Sequence, residues 1–217
     1  MEYIIQDISN WVNYSNKQII IGISGHGAAG KTTFATNLMN HLNIKSVNYI
    51  NTDPYIISSD IRKYTTIHYT YENEEHASKM TACHPDAHHL LSLERDVQMV
   101  RDGYDFYTLN TDYMKSELIQ SNHPITIVEG MSVAFLNPEL FDLKLYFYTD
   151  SETEILRRST RDVVERGRDI AYLKQSHAER RIQYEVFMHP FSENFDLIFY
   201  SSNDTIALER NTFRFIE

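Results

Sequence analysis

The chain predicts an α/β fold, a mainly parallel sheet flanked by helices in three layers. Two observations carry this. Short β-branched runs alternate with helix-periodic segments along most of the chain, the pattern of parallel strands joined by right-handed crossovers. Glycine is also concentrated: four of the seven glycines (Gly22, Gly25, Gly27, Gly30) fall within nine residues, directly after the first apolar run. The 217 residues suit one domain, and 42% hydrophobic with 23% charged residues is ordinary globular usage. No repeat or linker-like stretch divides residues 1–217, so a single domain is expected.

The elements follow in order. Ile4, Ile5, Ile8, Trp11 and Val12 recur at helical spacing and predict an amphipathic N-terminal helix. Gln18–Ser24 reads as a buried strand, and Lys31–Leu42 as a helix with Phe34, Ala35, Leu38 and Leu42 on one face. Val47–Asn51 is a second strand. Residues 55–85 are polar, aromatic and irregular, and read as a loop or insertion on the substrate side. Ala87–Arg101 reads as a helix, Tyr104–Leu109 as a short strand, and Ile125–Val128 and Leu143–Tyr148 as strong strands. Glu152–Glu165 and Ile170–Phe187 read as helices, the second stopped by His189-Pro190. Phe195–Tyr200 is the last clear strand, and residues 204–217 fit helix or strand equally.

Composition narrows the function classes. There are 20 Lys+Arg against 30 Asp+Glu, a formal charge of −10, which argues against nucleic-acid or anionic-membrane binding. The lone Cys83 excludes a disulfide framework and points to a reducing compartment. The apolar run Ile19–Ile23 is too short to span a bilayer, and Met1-Glu2-Tyr3 opens no secretory signal. A cytoplasmic protein is expected. The histidines around Cys83 (His68, His76, His84, His88, His89) match no standard zinc spacing.

Gly25-His26-Gly27-Ala28-Ala29-Gly30-Lys31-Thr32 fits G-x-x-x-x-G-K-[ST] at every fixed position, between a predicted strand and helix. Such a loop turns its N–H groups inward around phosphate oxygens, and the following helix adds its positive end. Lys31 would reach the β/γ-phosphates and the Thr32 hydroxyl would ligate Mg²⁺. With Thr33, these residues form a nucleoside-triphosphate site, and the architecture becomes a P-loop NTPase three-layer fold.

Ligands of such sheets bind beyond the carboxyl ends of the strands. Asp53 ends the second strand and Glu129 the third. Alone, each reads as easily as a turn residue before Pro54 or a solvated acid before Gly130. Together, beside a phosphate loop, they read as a base for a hydroxyl proton (Asp53) and a metal acid (Glu129).

From Arg157 to Arg181 eight basic residues stand among four acids, a local excess of +4. Arg158–Asp162, Arg161–Glu165 and Asp162–Arg166 are i,i+4 pairs and would suit a solvated helix. That leaves Arg157 and Arg168 unexplained. With the phosphate loop, the better reading is an arginine-bearing lid over 157–170 whose donors stabilise the transferring group.

These segments together resemble the uridine kinase (uridine–cytidine kinase) family of P-loop kinases, relatives of phosphoribulokinase and bacterial pantothenate kinase. The resemblance spans roughly residues 18–200. It rests on the phosphate loop, Asp53-x-Tyr55, His84-Pro85-Asp86-Ala87, Tyr104-Asp105-Phe106, and the run from Thr149-Asp150 through Arg157-Arg158-x-x-Arg161-Asp162-x-x-x-Arg166-Gly167-Arg168-Asp169. It implies transfer of the γ-phosphate of ATP or GTP to the 5′-hydroxyl of a nucleoside, uridine or cytidine first. Asp53 would take the proton, and Thr32, Asp53 and Glu129 would surround Mg²⁺. Lys31, Arg161 and Arg166 would serve the transfer. Tyr55 belongs to the substrate side, Asp86 and Arg158 would hold the ribose, Tyr104 would pack beside the base, and Arg168 would close with the lid. Homo-oligomers are common in the family. One departure stands out: Leu109 occupies the place of a histidine that reads the pyrimidine edge. A kinase of the same fold acting on another hydroxyl metabolite, or a catalytically silent nucleotide-binding module, is therefore the alternative.

Overall fold

The computed structural model describes residues 1–42, 46–164, 170–202 and 205–215, the side chains of 161–175 excepted. In order, the elements are α1 (Glu2–Tyr14), β1 (Ile19–Gly25), α2 (Lys31–Leu42), β2 (Val47–Asn51), α3 (Ser59–Arg62), β3 (Thr66–Tyr71) and β4 (Glu74–Lys79). Then come α4 (Leu90–Arg101), β5 (Phe106–Tyr107), β6 (Leu118–Ile119), β7 (Ile125–Glu129) and β8 (Leu143–Tyr148). The chain finishes with α5 (Ser151–Val164), α6 (Ile170–Phe187), β9 (Leu197–Ser202) and β10 (Thr205–Asn211).

The main sheet runs β10-β9-β8-β1-β7-β2, parallel throughout except for β10, which returns antiparallel to β9. Side chains alternate across a strand, and β1 shows what this does here. Ile19, Ile21 and Ile23 face α1 and α2, with Ile8, Phe34, Leu38, Ile127 and Phe147. Ile20 faces the other way, into a core with Ile50, Leu93, Val97, Val128 and Tyr184. A strand buried on both faces must be apolar at every position, which is why β1 reads as one run.

Three expectations are corrected, and one left open is decided. Residues 55–85 are not irregular: they hold α3 and the two-stranded hairpin β3–β4. The helix expected from Ala87 begins at Leu90, because Pro85–Ala87 forms a separate 3₁₀ turn. The strand expected over Tyr104–Leu109 shrinks to Phe106–Tyr107, paired only with Leu118–Ile119. The tail is a strand, β10, clamped where Arg210 Nη2 donates to the carbonyls of Ser192, Glu193 and Phe195.

β1 delivers the chain to the loop at Gly25, whose φ is +135°. A Cβ there would stand 1.8 Å from the Phe147 carbonyl oxygen, so only glycine lets the loop turn this close to β8. Among the described residues, no helix is long and apolar enough to cross a membrane.

Candidate active site

The phosphate loop is closed by its own side chains. Lys31 Nζ donates to the His26 carbonyl at 2.9 Å, spanning the loop. Ala28 takes a left-handed φ of 64°, part of the reversal that aims the backbone inward. His26 is fully buried. The Thr149 amide, which can only donate, lies 3.0 Å from Nε2, so Nδ1 carries the proton and donates to the Gly27 carbonyl at 2.8 Å. Burial, helped by the charges of Arg181 and Lys31, lowers its pKa to about 3 even though Glu154 lies nearby. The ring is therefore neutral, and it ties the loop to the end of β8. A position the motif leaves variable thus carries a specific structural task.

At the neighbouring strand ends the two acids come together with the loop. β2 and β7 pair with Asn51 opposite Glu129. The Thr52 amide then donates to the Glu129 carbonyl at 2.8 Å, which sets Asp53 just past that junction. Glu129 is buried, and its Oε2 accepts from Thr32 Oγ1 at 3.2 Å and from Tyr49 Oη at 2.7 Å. Burial and the Glu129 charge raise the Tyr49 pKa, so Tyr49 stays a hydrogen-bond donor. Gly130 follows with φ +144°, and a Cβ on it would meet Thr52 Oγ1 at 2.0 Å. Glycine is what lets the chain leave β7 without displacing Thr52. Asp53 is exposed, its amide held by Asn51 Oδ1 at 2.8 Å and its carbonyl by the Tyr113 hydroxyl at 2.9 Å.

This donor set suits Mg²⁺. Thr32, Glu129 and Asp53 offer only hard oxygens, and Mg²⁺ is ordinarily held by one or two carboxylates with phosphates and water completing its shell. Because Thr32 gives its proton to Glu129, its hydroxyl lone pairs stay available to a cation. Among the described residues, no group of three His, Cys, Asp or Glu forms a closed metal cage.

The expected substrate residues divide. The His84–Ala87 turn is stitched to the segment beyond Asp53: Ile57 N donates to Ala87 O at 2.9 Å, and His89 N to Tyr55 O at 2.7 Å. This brings the Asp86 motif beside the Asp53 motif, with Asp86 and Tyr104 exposed. Tyr55 is a correction. It is fully buried and its hydroxyl donates to Asp96, so it packs the core under the site and offers no surface to a ligand. Leu109 is half-buried against that same core. Arg158 is buried, 3.6 Å from Glu154. Of the lid arginines, the Arg161 side chain and the whole of Arg166 and Arg168 lie outside the described residues.

Several contacts were invisible in sequence. Tyr49 reads as a strand residue until β2 lies beside β7. Glu154, on α5, is buried among Arg158, Arg180 and Arg181 at 3.5–3.6 Å. Burial works to raise its pKa, but the surrounding positive charge prevails and keeps it ionised. Arg157, left unexplained by the helical pairs, donates to the Ala28 carbonyl at 3.2 Å and to Ser201 Oγ at 2.8 Å, linking α5 to the loop. Asp150 caps that helix, accepting from the Thr153 amide at 2.7 Å and its hydroxyl at 2.8 Å, bonds that lower its pKa to about 2.

A uridine kinase from Macrococcus caseolyticus is 31% identical over 192 residues, covering 84% of this chain and 88% of its own. Uridine kinase-like protein 5 from Arabidopsis thaliana is 27% identical over 207 residues; the match takes 88% of this chain but 42% of that longer protein. Phosphoribulokinase from Rhodobacter spheroides shares the fold at a TM-score of 0.60, with 18% identity over 86% of this chain and 71% of its own. The family model described as "Phosphoribulokinase / Uridine kinase family" matches residues 20–206. With its phosphate loop, parallel sheet and paired strand-end acids, the chain belongs to the phosphoribulokinase / uridine kinase family of P-loop kinases.

Proposed function

We propose that this kinase transfers the γ-phosphoryl group of ATP or GTP to the 5′-hydroxyl of a nucleoside, with uridine and cytidine the leading acceptors. The observation that carries the reading is the junction of Thr32, Tyr49 and Glu129 beside Asp53, at the mouth of the phosphate loop. Phosphoryl transfer demands positioned charge more than covalent chemistry from the protein. Thr32, Asp53 and Glu129 would hold Mg²⁺, which when bound neutralises charge on the donor phosphates. The loop from Gly25 to Thr33 would bind those phosphates through its N–H groups, and Lys31 would exchange its bond to the His26 carbonyl for a phosphate oxygen. Asp53 accepts the proton as the acceptor oxygen bonds to phosphorus and the bond to the leaving diphosphate breaks. Asp86, Tyr104, Arg158 and Arg168 are proposed for acceptor binding, and Arg161 and Arg166 for charge stabilisation from a lid over 157–170. Residues 55–85, hairpin included, would form the acceptor-side wall.

One observation favours a second acceptor class. Leu109 turns an apolar side chain into the core where a pyrimidine-reading group would stand. A site without its polar reader loses discrimination steeply, so a sugar phosphate or another hydroxyl metabolite would fit the same chemistry.

ADP release from Mg·ATP, measured across uridine, cytidine, purine nucleosides, pantothenate and ribulose 5-phosphate, tests both readings. Turnover with uridine or cytidine that vanishes in Asp53→Asn supports the first. Turnover confined to another acceptor establishes the second. ADP release independent of every acceptor and untouched by Asp53→Asn defeats both.

A further inference from the structure

We infer that Arg180, on α6, contacts the phosphoryl group being transferred. The inference rests on the kinase reading above and adds a residue that neither the phosphate-loop motif nor the arginine motif contains. Three placements support it. Arg180 Nη2 lies 3.6 Å from Met131 Sδ, immediately beyond Glu129-Gly130. The same nitrogen would stand 3.2 Å from a Cβ on Gly27, so the guanidinium rests on the backbone of the phosphate loop. Its Nε lies 3.5 Å from Glu154 Oε1. The head group thus bridges the loop and the end of β7, the two walls between which Thr32 and Glu129 converge.

A second guanidinium stands on the acceptor side. Arg62, on α3, donates to the carbonyls of Ile57 at 2.7 Å and Met80 at 3.2 Å, and no carboxylate pairs with it among the described residues. Its pKa is lowered, first by burial and then by the charge of Arg180. Like charges that sense one another in a half-buried space are eased by an anion between them. A phosphoryl group between a donor on the loop and an acceptor near Asp53 would be that anion.

Glu154 explains how Arg180 waits there. Its carboxylate is also faced by Arg158 and Arg181, so it does not need Arg180 for neutrality. The separation of 3.5 Å is longer than the roughly 2.8 Å of a charge-assisted hydrogen bond. Charge therefore helps hold the arginine over the loop. In the transfer itself the bond from phosphorus to the bridging oxygen breaks and leaves its electron pair on the diphosphate. The acceptor oxygen bonds to phosphorus and its proton passes to Asp53. Arg180 donates hydrogen bonds to the equatorial oxygens, where negative charge accumulates.

The test compares wild type, Arg180→Ala and Arg180→Lys as full chains, by calorimetric binding of Mg·ATP, Mg·ADP and AMP together with unfolding temperature. The expected result is a loss of ATP affinity of roughly ten- to hundredfold in Arg180→Ala, with ADP and AMP affinities and unfolding temperature unchanged. Arg180→Lys should fall between, because it keeps the charge and loses the planar fork. Equal losses for ATP and ADP, or no loss, would overturn the inference while leaving the donor site intact. Wild type that binds no nucleotide would overturn the kinase reading and this inference with it. Should Arg180→Ala fail to fold, the ATP-to-ADP ratio in Arg180→Lys decides: a selective loss supports the contact and an unchanged ratio removes it.

Discussion

Glu129 is buried yet has a defined task, because two hydroxyls converge on one of its oxygens. If Glu129 holds Mg²⁺ as proposed, Tyr49 is its positioning residue. Tyr49→Phe removes one hydrogen bond without changing the ring, and outer partners of metal ligands are ordinarily worth about tenfold or more in metal affinity. We expect the Mg²⁺ concentration for half-maximal activity to rise by roughly that factor, with Glu129 still in place. An unchanged Mg²⁺ titration would remove Tyr49 from the site. Asp53 is the opposite case, an exposed side chain on a tightly bonded backbone. Asp53→Asn should lower kcat by roughly 10²- to 10⁴-fold, the usual scale for a general base, and leave the unfolding temperature where it was. A matching fall in stability would mean that the carboxylate holds the fold instead.

The hairpin β3–β4 is not legible in the sequence, for identifiable reasons. Its strands carry polar residues on both faces, since only Tyr69 is buried along β3 and none along β4. Its turn is Glu72-Asn73, and both residues have positive φ, 50° and 65°. Two such residues make a type I′ turn, which favours Asn-Gly, and glutamate gives no hint of it. Replacing the pair by Glu72→Asn with Asn73→Gly should stabilise the protein by up to about 1 kcal/mol, read in urea unfolding. The hairpin is tied to α6 by Gln183, whose amide receives from Thr81 N and donates to Ser78 Oγ and Lys79 O, each at 2.8 Å. Gln183→Ala strands those partners, at a cost of roughly 1–3 kcal/mol. Hydrogen exchange should then quicken across residues 66–79 before the main sheet opens; uniform quickening would show that the hairpin folds as one with the sheet.

Stability of the folded chain should depend on pH through two neutral histidines. His88 donates from Nε2 to the Ala82 carbonyl at 2.9 Å and accepts at Nδ1 from Ser132 at 2.8 Å. Burial lowers its pKa to about 4, and that of His26 to about 3, from an ordinary 6.5. Below pH 6.5 the unfolded chain binds protons that the folded chain refuses. Their stabilising effect is therefore fully present above that pH and lost as pH falls toward the folded values. Each ring should remove about 1.4 kcal/mol per pH unit in the window from roughly 6 to 5. Urea midpoints at pH 7.5 and 5.5 check this, and His88→Gln should flatten the slope by one proton. An identical slope in that variant would assign the loss to other groups.

Sequence by itself determined the parallel sheet, the phosphate loop and the two strand-end acids. These are local properties: a β-branched run, glycines where φ must be positive, an acid that ends a strand. The sequence also placed α2 and α6 to the residue and α1 and α5 within two residues. What only the tertiary structure decided depends on residues far apart in the chain. Tyr55 looked like a substrate residue from its motif, yet packing against α4 and Asp96 takes it into the core. The neutral tautomer of His26 is set by Thr149, and the hold on Arg180 by Glu154. Charge and hydrogen-bond partners act through space, so a buried carboxylate facing three arginines is readable only once α5 and α6 lie side by side.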